Sequence, residues 1–318
     1  MPQATREIKR RIRSIKNTRQ ITKAMELVSA AKMRKAVANV LATRTYAKLA
    51  WEMLGELAQR TEPSRHPLLV RRKAPGRLGL VLITSNRGLC GGFNHQLTHR
   101  ANQYIAKHLK QPGARGADVI AVGKRGRDIM VRYNLPLAAE FTKTDITTRW
   151  EEVRPLAQLV IDDYLKGTYD RVVVAYTDFI SPVSQKPRLK QILPLEQEPD
   201  ELLGQTGSSL ARVASNKLAP SGAEGERVAD FNYEYKFEPS PDAVLEDLLP
   251  RLIEVQLFQA LLESDASEQS ARMLAMRNAS DAAKDMIDSL TLAFNQARQA
   301  SITAELADIT GGRVAIER

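Results

Sequence analysis

The chain has very few of the features that would cross-link it or hold it in a membrane. It has one cysteine, Cys90, so no disulfide can form within it, and we expect a reducing compartment. No run of residues approaches the roughly 18 apolar positions of a membrane span. The N-terminus is rich in arginine, lacks the apolar core of a secretory signal and runs straight into a helical pattern. We therefore expect a soluble chain without a removable leader.

Aromatic residues and helix breakers are also scarce. Aromatics make up 5% of the 318 residues, and abundant Ala, Leu, Arg and Glu favour helices. From Ala4 to Arg60 there is no proline and one glycine, and from Asp242 to Thr310 there is no glycine and one proline, Pro250. The sequence predicts a long helix at each end, and the second should stop at Gly311–Gly312. A helix of about 60 residues is about 90 Å long, so we expect these helices to protrude from any compact domain.

Acidic residues are nearly absent from the N-terminal segment. Residues 6–48 hold thirteen Lys or Arg and two acids, which makes this stretch +11 in a chain of formal charge +10. An ordinary charge run is a solvated helix face. The density here, without balancing acids, favours a basic rod that meets an acidic partner or nucleic acid.

The C-terminal segment carries an apolar and small-residue repeat of 3.5 residues. The repeat runs through Met273, Met276, Ser280, Ala283, Ile287, Leu290, Phe294 and Ala297. Such a repeat is the seam of a helix that winds around another helix. The N-terminal helix offers a partner, because apolar residues recur on roughly one side of it, at Ile8, Ile12, Ile15, Ile21, Met25 and Val28. We predict a long antiparallel coiled coil of the N- and C-terminal helices.

Between the two helices, short apolar runs alternate with helical patterns. GRLGLVLITSN is typical of a buried strand, ADVIAVG, AAEFTK and YDRVVVAYTDF are also expected to be strands, and KPRLKQILPL is typical of an edge strand. This alternation predicts a Rossmann-like α/β globular domain with a mainly parallel sheet. We expect an N-terminal coiled-coil helix at 1–60, the α/β domain at 61–240 and a C-terminal coiled-coil helix at 241–318. Residues 196–230, rich in Gly, Ser, Ala and acids, should be an exposed insertion.

No pattern in the sequence predicts a catalytic, metal or cofactor site. The turn SNRGLCGGFN lacks the Gly-Lys-Ser/Thr of a Walker loop and the Gly-x-Gly-x-x-Gly of a dinucleotide loop. Cys90 and His95 have no orienting acid nearby, and the histidines have no Cys or carboxylate at ligand spacing. The adjacent acids at 151–152 and 162–163 fit solvated helix faces. We expect a mechanical or scaffolding part with no cofactor and no metal.

Three stretches resemble the F-type ATP synthase gamma subunit family. They are IKNTRQITKAMELVSAAKMRKA, TSNRGLCGGFN and SEQSARMLAMRNASDAAKDMIDSLTLAFNQARQASITAELADI, in the family's order. The resemblance implies a non-catalytic central stalk that rotates with the c-ring, couples proton flow to ATP synthesis or hydrolysis on the beta subunits, and helps to regulate ATPase activity. The implied partners are three alpha and three beta subunits, epsilon and the c-ring of the membrane sector. The implied location is peripheral, at the cytoplasmic face of the bacterial cell membrane, without nucleic acid or direct membrane insertion.

The resemblance also implies contact residues. KAMELV and ARQASIT match the family segments that face the beta subunit, and YEYKFEP matches a stretch near the c-ring. The implied beta-subunit contacts are Lys23, Met25, Arg298, Gln299 and Thr303. The implied residues for docking on the c-ring or epsilon are Tyr235 and Glu238. The coiled-coil seam is expected at Ile8, Ile12, Ile15, Met273, Met276, Ile287, Leu290 and Phe294.

Two other classes of protein would account for part of these patterns. A nucleic-acid-binding coiled-coil protein would explain the basic rod but needs no α/β domain, and it would normally add aromatic or base-reading side chains. A dehydrogenase-like enzyme would explain the alternating strands, but the glycine fingerprint is missing.

Overall fold

A computed structural model describes residues 3–60, 66–70, 72, 75–143, 150–195, 238 and 240–316. The insertion predicted at 196–230 lies outside these residues. The described elements are α1 (Gln3–Arg60), β1 (Gly76–Ile83), α2 (Phe93–Leu109), β2 (Ala114–Val122), α3 (Lys124–Arg132), β3 (Leu137–Phe141), α4 (Trp150–Leu165), β4 (Arg171–Phe179), β5 (Gln185–Leu193) and α5 (Pro241–Ile316).

The chain forms two compact units, and both long helices contribute to each of them. The first unit contains residues 1–31 and 272–318, and the second contains residues 32–271. This division falls inside α1 and α5, whereas the parts expected from the sequence follow the helix ends. The domain boundaries expected at residues 60 and 240 stay a prediction.

The predicted stop of the C-terminal helix at Gly311–Gly312 is wrong. Helix α5 continues through both glycines to Ile316. A glycine inside a helix costs about 1 kcal/mol relative to alanine, which weakens the helix without ending it. No proline follows the glycines, so nothing in the backbone chemistry forbids the last turn.

The second unit contains the predicted α/β domain with its mainly parallel sheet. The strand order is β3-β2-β1-β4-β5. The pairs β3–β2, β2–β1 and β1–β4 are parallel, and β5 pairs antiparallel with β4 at the sheet edge. The chain moves outward from β1 to β3 and then returns to place β4 on the other side of β1, as in doubly wound folds. The fold class expected from the sequence is confirmed.

Both faces of the sheet are covered, which explains why its central strands are continuous apolar runs. One face packs on α2 and α3 through residues such as Leu97, Ile105 and Met130. The other face packs on α4 and on residues 245–261 of α5. A third cluster joins α1 to α5 at the end of β4 and contains Ala36, Val40, Phe179, Leu262 and Ala266.

Helix α5 is buried on all sides where it crosses this unit, although much of it is polar. From residue 252 to residue 272 only Phe258, Gln259 and Ala271 are not buried. Glu263 is 3% exposed and its Oε1 accepts a hydrogen bond from Gln259 Nε2 at 3.1 Å. Burial raises the pKa of Glu263 to about 8, with the charge of Asp178 adding to the rise and that of Lys190 opposing it. The fold therefore favours the neutral form of the Glu263 carboxyl group.

This buried carboxyl group predicts a pH-dependent stability. Because its folded pKa is above its unfolded value, the folded state holds a proton that the unfolded state releases between about pH 4.5 and pH 8. The contribution of Glu263 is full below the unfolded pKa and is lost as the pH rises toward the folded pKa. The free energy of unfolding of Glu263→Gln should therefore rise relative to that of the unsubstituted chain as the pH increases. The difference between the two should grow by on the order of 1–2 kcal/mol from pH 6 to pH 8.

Denaturant unfolding of the full chain at pH 6, 7 and 8 measures this effect. Glu151→Gln, which changes an exposed carboxyl group on α4, is the matched control and should shift stability equally at all three values. A Glu263→Gln effect that does not change with pH would contradict the assignment.

Candidate functional site

The first unit is built on direct contact between the two ends of the chain. The hydroxyl groups of Thr22 and Ser280 lie 2.7 Å apart. Either hydroxyl can donate in this pair, and the Thr22 hydroxyl is also 3.0 Å from the carbonyl oxygen of Arg19. In the second unit, Ala36 and Val40 share a cluster with Leu262 and Ala266. The partner position moves backward along α5 as α1 moves forward, so the helices are antiparallel.

The Thr22–Ser280 pair sets the register of the coil in the first unit. Moving one heptad back along α1 and one forward along α5 brings Ile15 level with Ile287, and another heptad brings Ile8 level with Phe294. By the same register Ile12 is level with Leu290. The three α1 isoleucines and both Leu290 and Phe294 are half-buried, and Ile287 is buried.

The seam changes from large to small residues toward the Thr22–Ser280 pair. Ser280 and Ala283 are buried on α5, and Ser29 is buried on α1. Met276 is also buried and Met273 is half-buried. Small side chains let two helix backbones approach closely, while larger ones fill wider spacing. The mixed seam therefore produces a coil whose two helices lie close together at the small residues.

Two residues expected on the inner side of α1 lie outside. Ile21 is 61% exposed and Val28 is 54% exposed. The 3.5-residue repeat through Ile8, Ile12 and Ile15 continues to Thr22 and Ser29, which are the residues the structure buries or half-buries. An apolar residue one position before the seam is rotated by about 100°. Ranking by hydrophobicity therefore selected the wrong phase, and the hydroxyl residues were missed.

The outer surface of α1 in this unit is strongly basic. The exposed cations are Arg6, Lys9, Arg10, Arg11, Arg13, Lys16, Arg19 and Lys23. Two acids compensate in part, because Glu7 lies 2.8 Å from Arg11 and Glu26 lies 2.9 Å from Lys23. Exposed pairs of this kind contribute little to stability. The remaining positive charge is available to an acidic surface.

The residues expected to contact the beta subunit lie in two places on the coil. Lys23 is exposed and Met25 is half-buried, next to the Thr22–Ser280 pair. Arg298, Gln299 and Thr303 are exposed near the end of α5. Because Arg298 is 18 residues beyond Ser280, the two groups are about 27 Å apart along the helix axis. The structure does not bring them into one site.

The last part of α5 carries an exposed apolar stripe. The register brings Gln3, the first residue that the structure describes, level with Gln299, so the stripe lies beyond the described part of α1. Ile302, Leu306 and Ile309 are 49%, 58% and 69% exposed and are spaced by four and three residues, which places them on one stripe. This stripe was not among the residues predicted from the sequence. The signal was the helical spacing itself, continued past the end of the paired seam.

The remaining expected residues lie elsewhere or outside the described chain. Glu238 is exposed and precedes α5, whereas Tyr235 lies outside the described residues. Cys90 is buried and its sulfur is 3.2 Å from Asn94 Nδ2, while His95 is exposed and stacks on His99. Among the residues that the structure describes, no group of His, Cys, Asp and Glu side chains could hold a metal ion. The same residues contain no helix that is long and apolar enough to cross a membrane.

Known proteins share both the sequence and the fold of this chain. The model of the ATP synthase family matches residues 4–316. The ATP synthase gamma chain of Herpetosiphon aurantiacus is 42% identical over 322 residues, which is 99% of each chain. The gamma chain of Heliobacterium modesticaldum is 41% identical over 311 residues, 98% of each chain.

Solved structures with this fold belong to rotary assemblies. A chain of the Euglena gracilis mitochondrial ATP synthase, in its OSCP/F1/c-ring structure, has a TM-score of 0.62 and 20% identity, with 98% of this chain and 94% of that chain covered. A chain of the central stalk and c-ring of the Tetrahymena thermophila enzyme has a TM-score of 0.56 and 22% identity, with 82% and 99% covered. At these identities the likeness concerns the fold, whereas the sequence matches extend over nearly the whole chain. The chain belongs to the ATP synthase gamma chain family.

Proposed function

We propose that this chain is the central shaft of an F-type ATP synthase, and that it turns inside a ring of three alpha and three beta subunits. The gamma subunit is a non-catalytic part of the complex, and catalysis takes place on the beta subunits. The observation that carries the proposal is the antiparallel pairing of α1 with α5, fixed by the Thr22–Ser280 hydrogen bond. Rotation of this shaft with the c-ring would couple proton flow to ATP synthesis or hydrolysis and would set the ATPase rate.

An asymmetric coil can drive the beta subunits only if its contacts differ among their conformations. A ligand shifts an equilibrium by the difference between its affinities for the two states. The coil meets this requirement because its surface is uneven. Basic residues crowd the outer side of α1, while α5 carries exposed acids such as Asp281, Asp285 and Asp288. As the shaft turns, each beta subunit would face a different charge.

The end of α5 suits a bearing. The stripe of Ile302, Leu306 and Ile309 is exposed in this chain, and an apolar stripe of this kind marks a surface that another protein covers. A sleeve formed by the alpha and beta subunits would cover it. Arg298, Gln299 and Thr303 lie just before or beside the stripe, where Arg298 would pair with beta carboxylates as a charge-assisted donor. Lys23 and Met25 would contact the beta subunit at a second place, next to the Thr22–Ser280 pair.

The α/β part would dock on epsilon and the c-ring. Solved relatives of this fold include central stalk and c-ring assemblies. We assign Tyr235 and Glu238 to this docking surface on the basis of the matching YEYKFEP stretch. The complex would lie at the cytoplasmic face of the bacterial cell membrane, with this chain peripheral to the membrane.

Co-expression with the alpha and beta subunits of the same organism tests the proposed function. We expect a stable complex that hydrolyses ATP and in which a probe fixed to this chain rotates while the beta subunits are anchored. A complex that assembles and hydrolyses ATP equally well without this chain would contradict the proposal.

Reversing one charge tests the contact assignment. Arg298→Glu should slow ATP turnover of the assembled complex about tenfold or more, because a hydrogen bond to a charged group contributes on the order of 1.5–3 kcal/mol. Arg132→Glu, which reverses an exposed charge on α3, is the matched control and should leave turnover near that of the unsubstituted complex. Unchanged kinetics for Arg298→Glu would contradict the role given to Arg298.

A further inference from the structure

The carboxyl edge of the sheet contacts α5 through an unusual set of buried polar bonds. Lys143 follows β3 and is 6% exposed. Its ammonium group contacts Asp265 and lies 2.8 Å from Glu268 Oε2. Burial alone would lower the pKa of Lys143, but the charges of the two carboxylates outweigh it and raise the pKa. Lys143 therefore remains a cation between two anions of the helix.

The backbone of Lys143 is held in turn by the loop after β1. Asn86 Nδ2 donates to the Lys143 carbonyl at 2.6 Å, and Asn86 Oδ1 accepts from the backbone N–H of Lys124 at 3.3 Å. The Asn86 side chain thus links the segments that follow β1, β2 and β3. The backbone of Lys143 is therefore fixed to the turns that follow β1 and β2.

A second set of bonds comes from β4 and the turn that follows it. The Ser267 hydroxyl donates to the Thr177 carbonyl at 3.0 Å. The Ser270 hydroxyl donates to the Pro182 carbonyl at 2.6 Å, and Gln185 Nε2 donates to the Ser270 oxygen at 3.2 Å. Both serines are fully buried.

The two sets of bonds lie on opposite sides of the helix. At about 100° per residue, the mean direction of Ser267 and Ser270 is about 160° from that of Asp265 and Glu268, although the neighbours Ser267 and Glu268 are only about 100° apart. The strands β3 and β4 are separated by β2 and β1, so their ends are about 14 Å apart at roughly 4.8 Å per strand. A helix with its side chains is about 10–12 Å wide and fits between them.

We infer that Lys143 and the β4–β5 turn form a two-sided grip through which torque passes between the α/β unit and α5. The grip is defined as Lys143 on Asp265 and Glu268 on one side, and Thr177, Pro182 and Gln185 on Ser267 and Ser270 on the other. This inference rests on the proposed function as a shaft. Lys143 and the serines are positioning residues, because they act through the helix and touch no nucleotide.

Polar bonds suit this task better than apolar packing does. Hydrophobic attraction has no preferred direction, so an apolar helix face resists turning about the helix axis only through the steric interlocking of its side chains, and directional bonds add to that resistance. Hydrogen bonds weaken steeply when their angle changes, and buried ones are stronger than those in water. Bonds on two opposite sides also produce a couple, which turns the helix without displacing it sideways.

The test measures torsional stiffness in the assembled complex. Complexes with the beta subunits anchored carry a rod on Lys166→Cys, an exposed position after α4. The rod should first rotate with ATP. A non-hydrolysable ATP analogue then stops the motor, and the angular fluctuation of the rod reports the compliance between the α/β unit and the anchored subunits.

Two variants each remove one side of the grip. K143M/D265L/E268M replaces Lys143 and both of its carboxylate partners together, so that neither side of these ion pairs is left alone. S267A/S270A removes the opposite hydroxyl groups. The matched control R127M/E140M removes an ion pair with a 2.9 Å N–O distance between α3 and β3, which makes no contact with the grip.

Each grip variant should increase the angular variance by up to about twofold, because losing one of two parallel restraints doubles the compliance of the grip but not that of the rest of the shaft, while the control keeps the original variance. A purely structural role would lower the thermal stability of the grip variants and leave the variance of the folded complexes unchanged, and that result would overturn the inference. If the rod rotates normally and its angular variance is equal in the unsubstituted, grip-variant and control complexes, the grip is refuted while the proposed function stands. Absence of rotation in the unsubstituted complex would contradict the proposed function and the grip with it.

Discussion

The antiparallel pairing of α1 with α5 is the interaction on which the rest of the molecule depends. It brings residues near the start of the chain beside residues of the C-terminal helix, so that the two helices share one seam and both contribute to the outer surface. The small residues Ser29, Ser280 and Ala283 keep that seam narrow. A shaft that must turn inside other subunits needs a small diameter and two unlike sides, and a two-stranded coil of unrelated helices supplies both.

Helix α5 is continuous, but its side chains have a different environment in each of the two units. Where it crosses the α/β unit it is buried all round, and its polar side chains bond to the ends of β3 and β4. In the coil most of the buried α5 residues belong to the seam, and many of the others are exposed. The polar residues of the first part are costly to bury unless they are paired. Their pairing adds directional bonds to the apolar packing that holds the helix on the sheet.

Much of the fold could be predicted from the sequence, because long segments without glycine or proline and alternating apolar runs are strong patterns. The α5 seam could be predicted because its small residues follow the same 3.5-residue repeat as Met276 and Ile287. On α1 the same reasoning failed at Ile21 and Val28, since hydrophobicity was given more weight than phase. The buried Lys143, Glu263 and Ser267 could not be predicted, because a polar residue is expected at the surface unless its partner, distant in the sequence, is known. The contacts with other subunits depend on surfaces that the chain does not contain.

An engineered disulfide at the centre of the coil tests the account most directly. Thr22→Cys with Ser280→Cys replaces two hydroxyl groups that lie 2.7 Å apart, a separation that a disulfide can span, in a chain whose buried Cys90 is changed to Ala. Thr22→Cys with Ile287→Cys, shifted by one heptad, is the control. We expect the first pair alone to close within the chain on oxidation, and the assembled complex that contains it to keep its ATP-driven rotation. Failure of the first pair to close, equal closure of the shifted pair, or loss of rotation only after oxidation of the first pair would contradict the central claim.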